Sequence, residues 1–122
     1  MATVLIADDS AYARRLLKQA LESAGHQILE APSGMGAIET FFLHRPDVVL
    51  LDLTMGDMDG LEVLRRIRDL VSDARIIVVS ADIQKSTAES VLASGATQFL
   101  GKPAGRDAII EAVAAALAEV PE

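Results

Sequence analysis

An α/β fold with a five-stranded parallel sheet, covered by helices on both faces, is what this sequence predicts, on three observations. Five short, β-branched, apolar runs occupy residues 3–7, 27–31, 47–52, 75–80 and 96–101. Each is followed by a stretch with helical spacing, and parallel strands need such crossovers. The central runs are apolar on both faces, as expected of strands that helices cover on both sides.

The elements follow in order. Ala13, Leu16, Leu17, Ala20, Leu21 and Ala24 keep the i, i+3, i+4, i+7 rule of a first helix, and Gly25 is its stop. Ile38, Phe41 and Phe42 mark a second helix that ends before Pro46, and Leu61, Leu64, Ile67 and Val71 mark a third with Asp59 as its cap. Ala88, Val91 and Leu92 mark a fourth, stopped by Gly95, and Ile109, Val113, Ala116, Leu117 and Val120 mark the fifth. No linker, repeat or low-complexity tract interrupts the pattern, so residues 1–122 are expected to form one domain around one core.

Composition narrows the function classes. Hydrophobic residues make up 51%, yet no apolar run approaches the roughly 20 residues of a membrane span. The opening segment lacks a basic region before its apolar residues and reads as a first strand, not a signal peptide. There is no cysteine, which removes disulfides, zinc–thiolate sites and thiol nucleophiles and suits a cytoplasmic location. A formal charge of −7 argues against direct nucleic-acid binding.

Polar residues close four of the five strands. Asp8 and Asp9 follow the first, Asp52 ends the third, Ser80 ends the fourth, and Lys102 with Pro103 follows the fifth. Open parallel sheets bind ligands at this edge. If the strands concerned are neighbours, the acids converge, and two carboxylates 5 Å apart repel by about 3 kcal/mol at an effective dielectric of 20. A hard divalent cation is the natural counter-charge, and Mg²⁺ fits because it accepts one or two carboxylates plus waters and a phosphate oxygen. Such a cluster suits phosphoryl transfer to a carboxylate, for which Asp52 is the best placed nucleophile. Asp8 and Asp9 would hold the metal, Lys102 would pair with Asp52 at rest, and Ser80 would donate to the phosphate. Each residue has a plainer reading as well: Asp9 or Ser10 as a helix cap, Asp52 and Ser80 as turn residues, Lys102 as a surface lysine. Asp57-Met58-Asp59-Gly60 matches part of a calcium loop but lacks its later ligands. His26 and His44 fall near helix ends, away from the cluster.

Asp8-Asp9, Leu51-Asp52-Leu53 leading to Met58-Asp59-Gly60, Ser80-Ala81 and Lys102-Pro103 stand in an order and spacing that resembles the receiver domain of two-component response regulators, CheY-like, over essentially the whole chain. The resemblance implies a flavodoxin-like sheet of order 2-1-3-4-5, the strand order of CheY itself. It implies Asp52 as phosphoacceptor, served by a sensor histidine kinase or histidine phosphotransfer protein. It implies Mg²⁺, with Mn²⁺ able to substitute, held by Asp9, Asp52 and the backbone carbonyl of Thr54, and by Asp8 through water. Ser80 and Lys102 would be the switch hydroxyl and the phosphate-binding lysine, Phe99 the switch aromatic, and the bond before Pro103 cis. Thr54 and Asp82, two positions after the phosphoacceptor and the switch hydroxyl, would tune dephosphorylation. The chain would then be a signalling switch and not an enzyme, a monomer or weak phosphorylation-dependent dimer, whose downstream protein target the residues do not name.

Two positions depart from the family pattern. Gly56 stands where many receivers carry proline, and Phe99 lacks the hydroxyl of the tyrosine often found there. Two other readings remain open: a receiver belonging to a longer regulator with a DNA-binding output domain, and a phosphatase of the haloacid dehalogenase type. The latter needs a second acid two residues after the nucleophile, where this chain has Thr54.

Overall fold

The structure is a computed structural model that describes residues 2–118. Its order is β1 (Thr3–Ala7), α1 (Ala11–Ser23), β2 (Gln27–Ala31), α2 (Gly34–His44), β3 (Val48–Asp52), β4 (Thr54–Met55), β5 (Met58–Asp59), α3 (Gly60–Leu70), β6 (Ile76–Ser80), α4 (Lys85–Ala93), β7 (Gln98–Gly101) and α5 (Arg106–Ala118). Five strands form one parallel sheet in the order β2-β1-β3-β6-β7, the 2-1-3-4-5 arrangement of the sheet strands. Val120 lies outside the described residues.

Strand alternation sends side chains to two separate cores. Leu5, Ala7, Val49, Leu51, Ile76 and Val78 face one side, where they meet Phe41 of α2, Val63, Leu64 and Ile67 of α3, and Val91 of α4. Val4, Ile6, Val48, Leu50, Ile77 and Val79 face the other, against Leu21 of α1 and Ile109, Ala112, Val113 and Ala116 of α5. β3 and β6 are buried along their whole length, so truncating a residue such as Leu51 to alanine would cost about 2–5 kcal/mol.

Helix ends follow local chemistry. Ser10, not Asp9, caps α1, accepting from Ala13 N at 3.1 Å, and Gly25 continues past its end with φ +91°. Asp59 caps α3 by accepting from Leu61 N at 3.0 Å. α2 stops at Arg45, which takes φ +46° without being a glycine, just before Pro46. The Arg45 guanidinium lies 5.7 Å from the centroids of both Phe41 and Phe42. The short antiparallel pair β4–β5 has no signature in the sequence, because two residues per strand are too few to show a period.

Candidate functional site

The order of the sheet reverses between β1 and β3, and the crevice beyond their C-terminal ends is where such sheets bind ligands. β1 delivers Asp8 and Asp9 to this crevice and β3 delivers Asp52. One carboxylate oxygen from each of the three lies within 4.8 Å of the others. Asp8 and Asp52 are buried, whereas Asp9, spared from capping α1, is exposed at the mouth.

Hydrogen bonds hold each buried acid. Asp8 accepts from Ser10 N at 2.9 Å through Oδ1 and from Lys102 Nζ at 2.7 Å through Oδ2. Asp52 Oδ1 accepts from both Thr54 N and Thr54 Oγ1 at 3.2 Å. Lys102 Nζ also lies 3.3 Å from Asp52 Oδ2, so it bridges the two buried acids with Asp8 as the nearer partner. The expected resting contact of Lys102 with Asp52 is present, and Asp8 joins it to make a triad. Burial works to lower the Lys102 pKa, but the hydrogen bond to Asp8 and the charges of Asp52 and Asp8 outweigh it, leaving the ammonium above the ordinary lysine value.

The remaining predicted residues surround this triad. Ser80 is fully buried at the end of β6, and its Oγ accepts from Asp82 N at 3.1 Å. Phe99, on the edge strand β7, is half-buried and packs on the core that α2, α3 and α4 cover. The Lys102–Pro103 peptide is cis. Asp82 turns to the first turn of α4, accepting from Gln84 N at 3.1 Å and Thr87 Oγ1 at 2.8 Å. These two bonds, Thr87 first, hold the Asp82 carboxyl below its ordinary value. The stabilisation from these two bonds is therefore present above the usual carboxylate range and is lost as pH falls through the lowered pKa. His26 accepts from Ala2 N at 3.2 Å and His44 is exposed at the end of α2, both outside the cluster.

Sequence reasoning missed three participants. Arg14 Nη1 donates to the Asp8 carbonyl at 2.6 Å, bracing the strand end from α1. Thr87 holds Asp82, and Asp57 accepts from two backbone amides of α2. The partners of Asp57 lie 22 and 23 residues upstream, so no local pattern could have shown them.

The donor set fits a hard cation. Among the described residues the cluster offers three carboxylates and no nitrogen or sulfur ligand, which suits Mg²⁺, an ion that prefers oxygen and keeps several waters. Asp9 is the exposed acid, open to an ion arriving from solvent.

A parallel sheet in this order, with an acid triad and a lysine at its switch point, defines the class of CheY-like receivers. The response regulator receiver domain family matches residues 4–114, and the chain belongs to that family. It is 38% identical to the chemotaxis protein CheY of Bacillus subtilis strain 168 over 111 residues, covering 90% of this chain and 92% of that protein. It is 37% identical over 117 residues to the transcriptional regulatory protein KdpE of Mycobacterium tuberculosis, covering 96% of this chain but 51% of that one. The crystal structure of the CheX–CheY–BeF₃–Mg²⁺ complex from Borrelia burgdorferi superposes with TM-score 0.91 at 32% identity, covering 96% of this chain and 90% of that one. The chain is therefore a receiver of two-component signalling, a switch and not an enzyme, with the acidic pocket of Asp8, Asp9 and Asp52. Among the described residues no helix is long and apolar enough to cross a membrane.

Proposed function

We propose that residues 1–122 form a single cytoplasmic receiver domain that takes a phosphoryl group onto Asp52 from the histidine of a sensor kinase or phosphotransfer protein. The observation that carries this is the buried Asp52 carboxylate with Lys102 Nζ 3.3 Å from one oxygen and the Thr54 donors on the other. An Asp52 oxygen attacks phosphorus, the nitrogen–phosphorus bond breaks, and the imidazole leaves as the neutral base after taking a proton. Asp9, Asp52 and the Thr54 carbonyl would hold Mg²⁺ or Mn²⁺ directly and Asp8 through water; the ion supplies positive charge against the phosphoryl oxygens. Lys102 is poised to move from the Asp8–Asp52 bridge onto a phosphoryl oxygen.

The buried Ser80 hydroxyl donates to the phosphate, drawing in the loop that leads to α4. Phe99 then packs further onto the core beside it. The surface of α4, β7 and α5 thereby changes shape and binds or releases a protein target, a local charge event biasing a two-state element. Thr54 tunes the return reaction, and Asp82, held by Thr87 and the Gln84 amide, does so to a lesser extent. A phosphatase mechanism of the haloacid dehalogenase type has no support at Thr54, whose hydroxyl is bonded to Asp52 and is no acid. A place in a longer regulator is the second reading, favoured by the match to half of KdpE. In either case the receiver binds no nucleic acid or membrane itself and is a monomer or weak phosphorylation-dependent dimer.

The kinase side docks on α1 beside the acid edge. Of the basic residues there, Arg14 and Lys18 both face Glu30, at 3.2 and 3.8 Å, which offsets part of their positive charge. What α1 offers instead is an apolar cleft formed by Tyr12, Leu16, Leu17, Pro103 and Ala104.

Phosphorylation with acetyl phosphate and Mg²⁺ is expected to change amide hydrogen exchange in α4, β7 and the start of α5 while β1 and β3 keep theirs. Exchange unchanged throughout α4 and β7 in the stoichiometrically phosphorylated protein would refute the switch surface. Titration with Mn²⁺ is expected to show weak binding without phosphate, and Asp9→Ala should weaken it by about tenfold or more, since even outer-sphere partners of a metal are worth that much. Equal affinity in both proteins would leave Asp9 without a role in the site.

A further inference from the structure

The β4–β5 hairpin begins two residues after Asp52 and carries Thr54, yet each of its strands is only two residues long. A pair that short does not hold itself together. Its turn residues are Gly56 and Asp57, and neither takes a positive φ. Nothing lies within 4 Å of a Cβ built on Gly56, so the glycine is not demanded by space or by backbone shape. It leaves the turn looser than another residue would.

Asp57 supplies the missing restraint. Its Oδ1 accepts from Gly34 N at 2.8 Å and its Oδ2 from Met35 N at 3.0 Å. These are two of the orphan donors in the first turn of α2. The helix's own cap, Ser33, takes a different one, Gly36 N, at 3.0 Å. Gly34 also lets the hairpin approach: a Cβ there would stand 3.0 Å from Met58 Cβ and 2.9 Å from Val63 Cγ2. The tip of the hairpin is therefore clamped to α2 by a bidentate carboxylate. Asp57 lines the same open cleft as Asp9, Thr54 and Asp59, but both its oxygens are committed to α2, so it is not a further cation ligand.

We propose that Asp57 is a positioning residue for the cation site: by clamping the hairpin to α2 it holds the Thr54 carbonyl in place beside Asp9 and Asp52. The proposal rests on the receiver reading, in which that carbonyl is a ligand. It replaces turn rigidity with a tertiary tether, so stiffening the turn should make the tether dispensable. Proline is favoured at the first central position of a turn with negative φ at both central residues, which is where Gly56 stands.

Mn²⁺ affinity measured by electron paramagnetic resonance on the folded chain tests this. Asp57→Ala is expected to bind Mn²⁺ about fivefold more weakly than wild type, with Asp57→Asn between the two. The double variant Gly56→Pro/Asp57→Ala should recover affinity to within about twofold. Hydrogen exchange at Gly34 and Met35 should stay fast in both alanine variants, which separates the repair of the site from any repair of α2. Wild-type affinity in Asp57→Ala overturns the proposal. A loss that proline does not repair also overturns it, since Asp57 would then act through its charge or through helix stability. Asp9→Ala is the control for the underlying reading: if it too leaves Mn²⁺ binding unchanged, the cation site itself is misassigned, whatever Asp57 does.

Discussion

Asp52→Asn is expected to abolish phosphorylation by acetyl phosphate and Mg²⁺, with no species carrying an added phosphoryl group in the intact-mass spectrum. The substitution keeps the shape of the side chain and removes the nucleophile, because an amide oxygen has neither the charge nor the basicity to attack phosphorus. Its structural cost should be small. Lys102 keeps Asp8, its nearer partner at 2.7 Å, so no buried charge is left without a counter-charge. The Thr54 N donor at 3.2 Å still finds the amide oxygen if that atom faces the Asp52 Oδ1 position. A cooperative unfolding transition close to that of the wild type, together with complete loss of phosphorylation, is therefore the expected pair of results. The alternative acceptors are few: Asp8 is buried and committed to Lys102 and Ser10, and Asp9 is exposed but stands at the mouth of the crevice. Stoichiometric phosphorylation persisting in Asp52→Asn would move the acceptor to one of these and dismantle the site as drawn.

Much of this site was legible in the sequence because its residues end strands. An apolar run such as Val48–Leu51 announces a buried strand whichever neighbours it has, and the polar residue that closes it must emerge at the sheet edge. The helices read well where a single face is apolar, as in α3, whose Leu64 and Ile67 are buried as their spacing predicts, while Leu61 is half-buried and Val71 caps the end of the helix. What the linear pattern does not carry is depth and reach. Asp8 and Lys102 follow strands that have β3 and β6 between them, so only the folded loops show that this pair is closer than Lys102 and Asp52. Asp82 follows Ser80 by two residues and was expected to tune dephosphorylation, whereas the structure shows it held by Thr87 and the Gln84 amide. Asp57 was visible only as a fragment of a rejected calcium loop. Its role depends on Gly34 and Met35, two donors whose need for a partner appears only once α2 is known to begin there.

The lifetime of the phosphorylated form should be governed by access of water to phosphorus, opposite the Asp52 oxygen. Thr54 is exposed at the rim of this approach and is small, and its hydroxyl is turned to Asp52 Oδ1 at 3.2 Å. We expect Thr54→Arg to slow hydrolysis by about tenfold, which corresponds to roughly 1.4 kcal/mol on the barrier. The long side chain would cover the approach and place a cation against the phosphoryl oxygens. Only the side chain changes, so the backbone N–H that binds Asp52 and the carbonyl proposed to meet the ion remain, and Mg²⁺ affinity should be unaltered. Asp82 is expected to matter less. Its carboxylate is engaged by Thr87 Oγ1 at 2.8 Å and Gln84 N at 3.1 Å, so it neither orients nor repels water until the first turn of α4 releases it. Asp82→Ala should therefore change the decay by no more than about twofold, a few tenths of a kcal/mol on the barrier. Decay of the phosphorylated protein can be followed by mass spectrometry after removal of the phosphodonor, with Mg²⁺ held in excess. Identical decay in wild type, Thr54→Arg and Asp82→Ala would mean that water reaches phosphorus by a path neither residue borders.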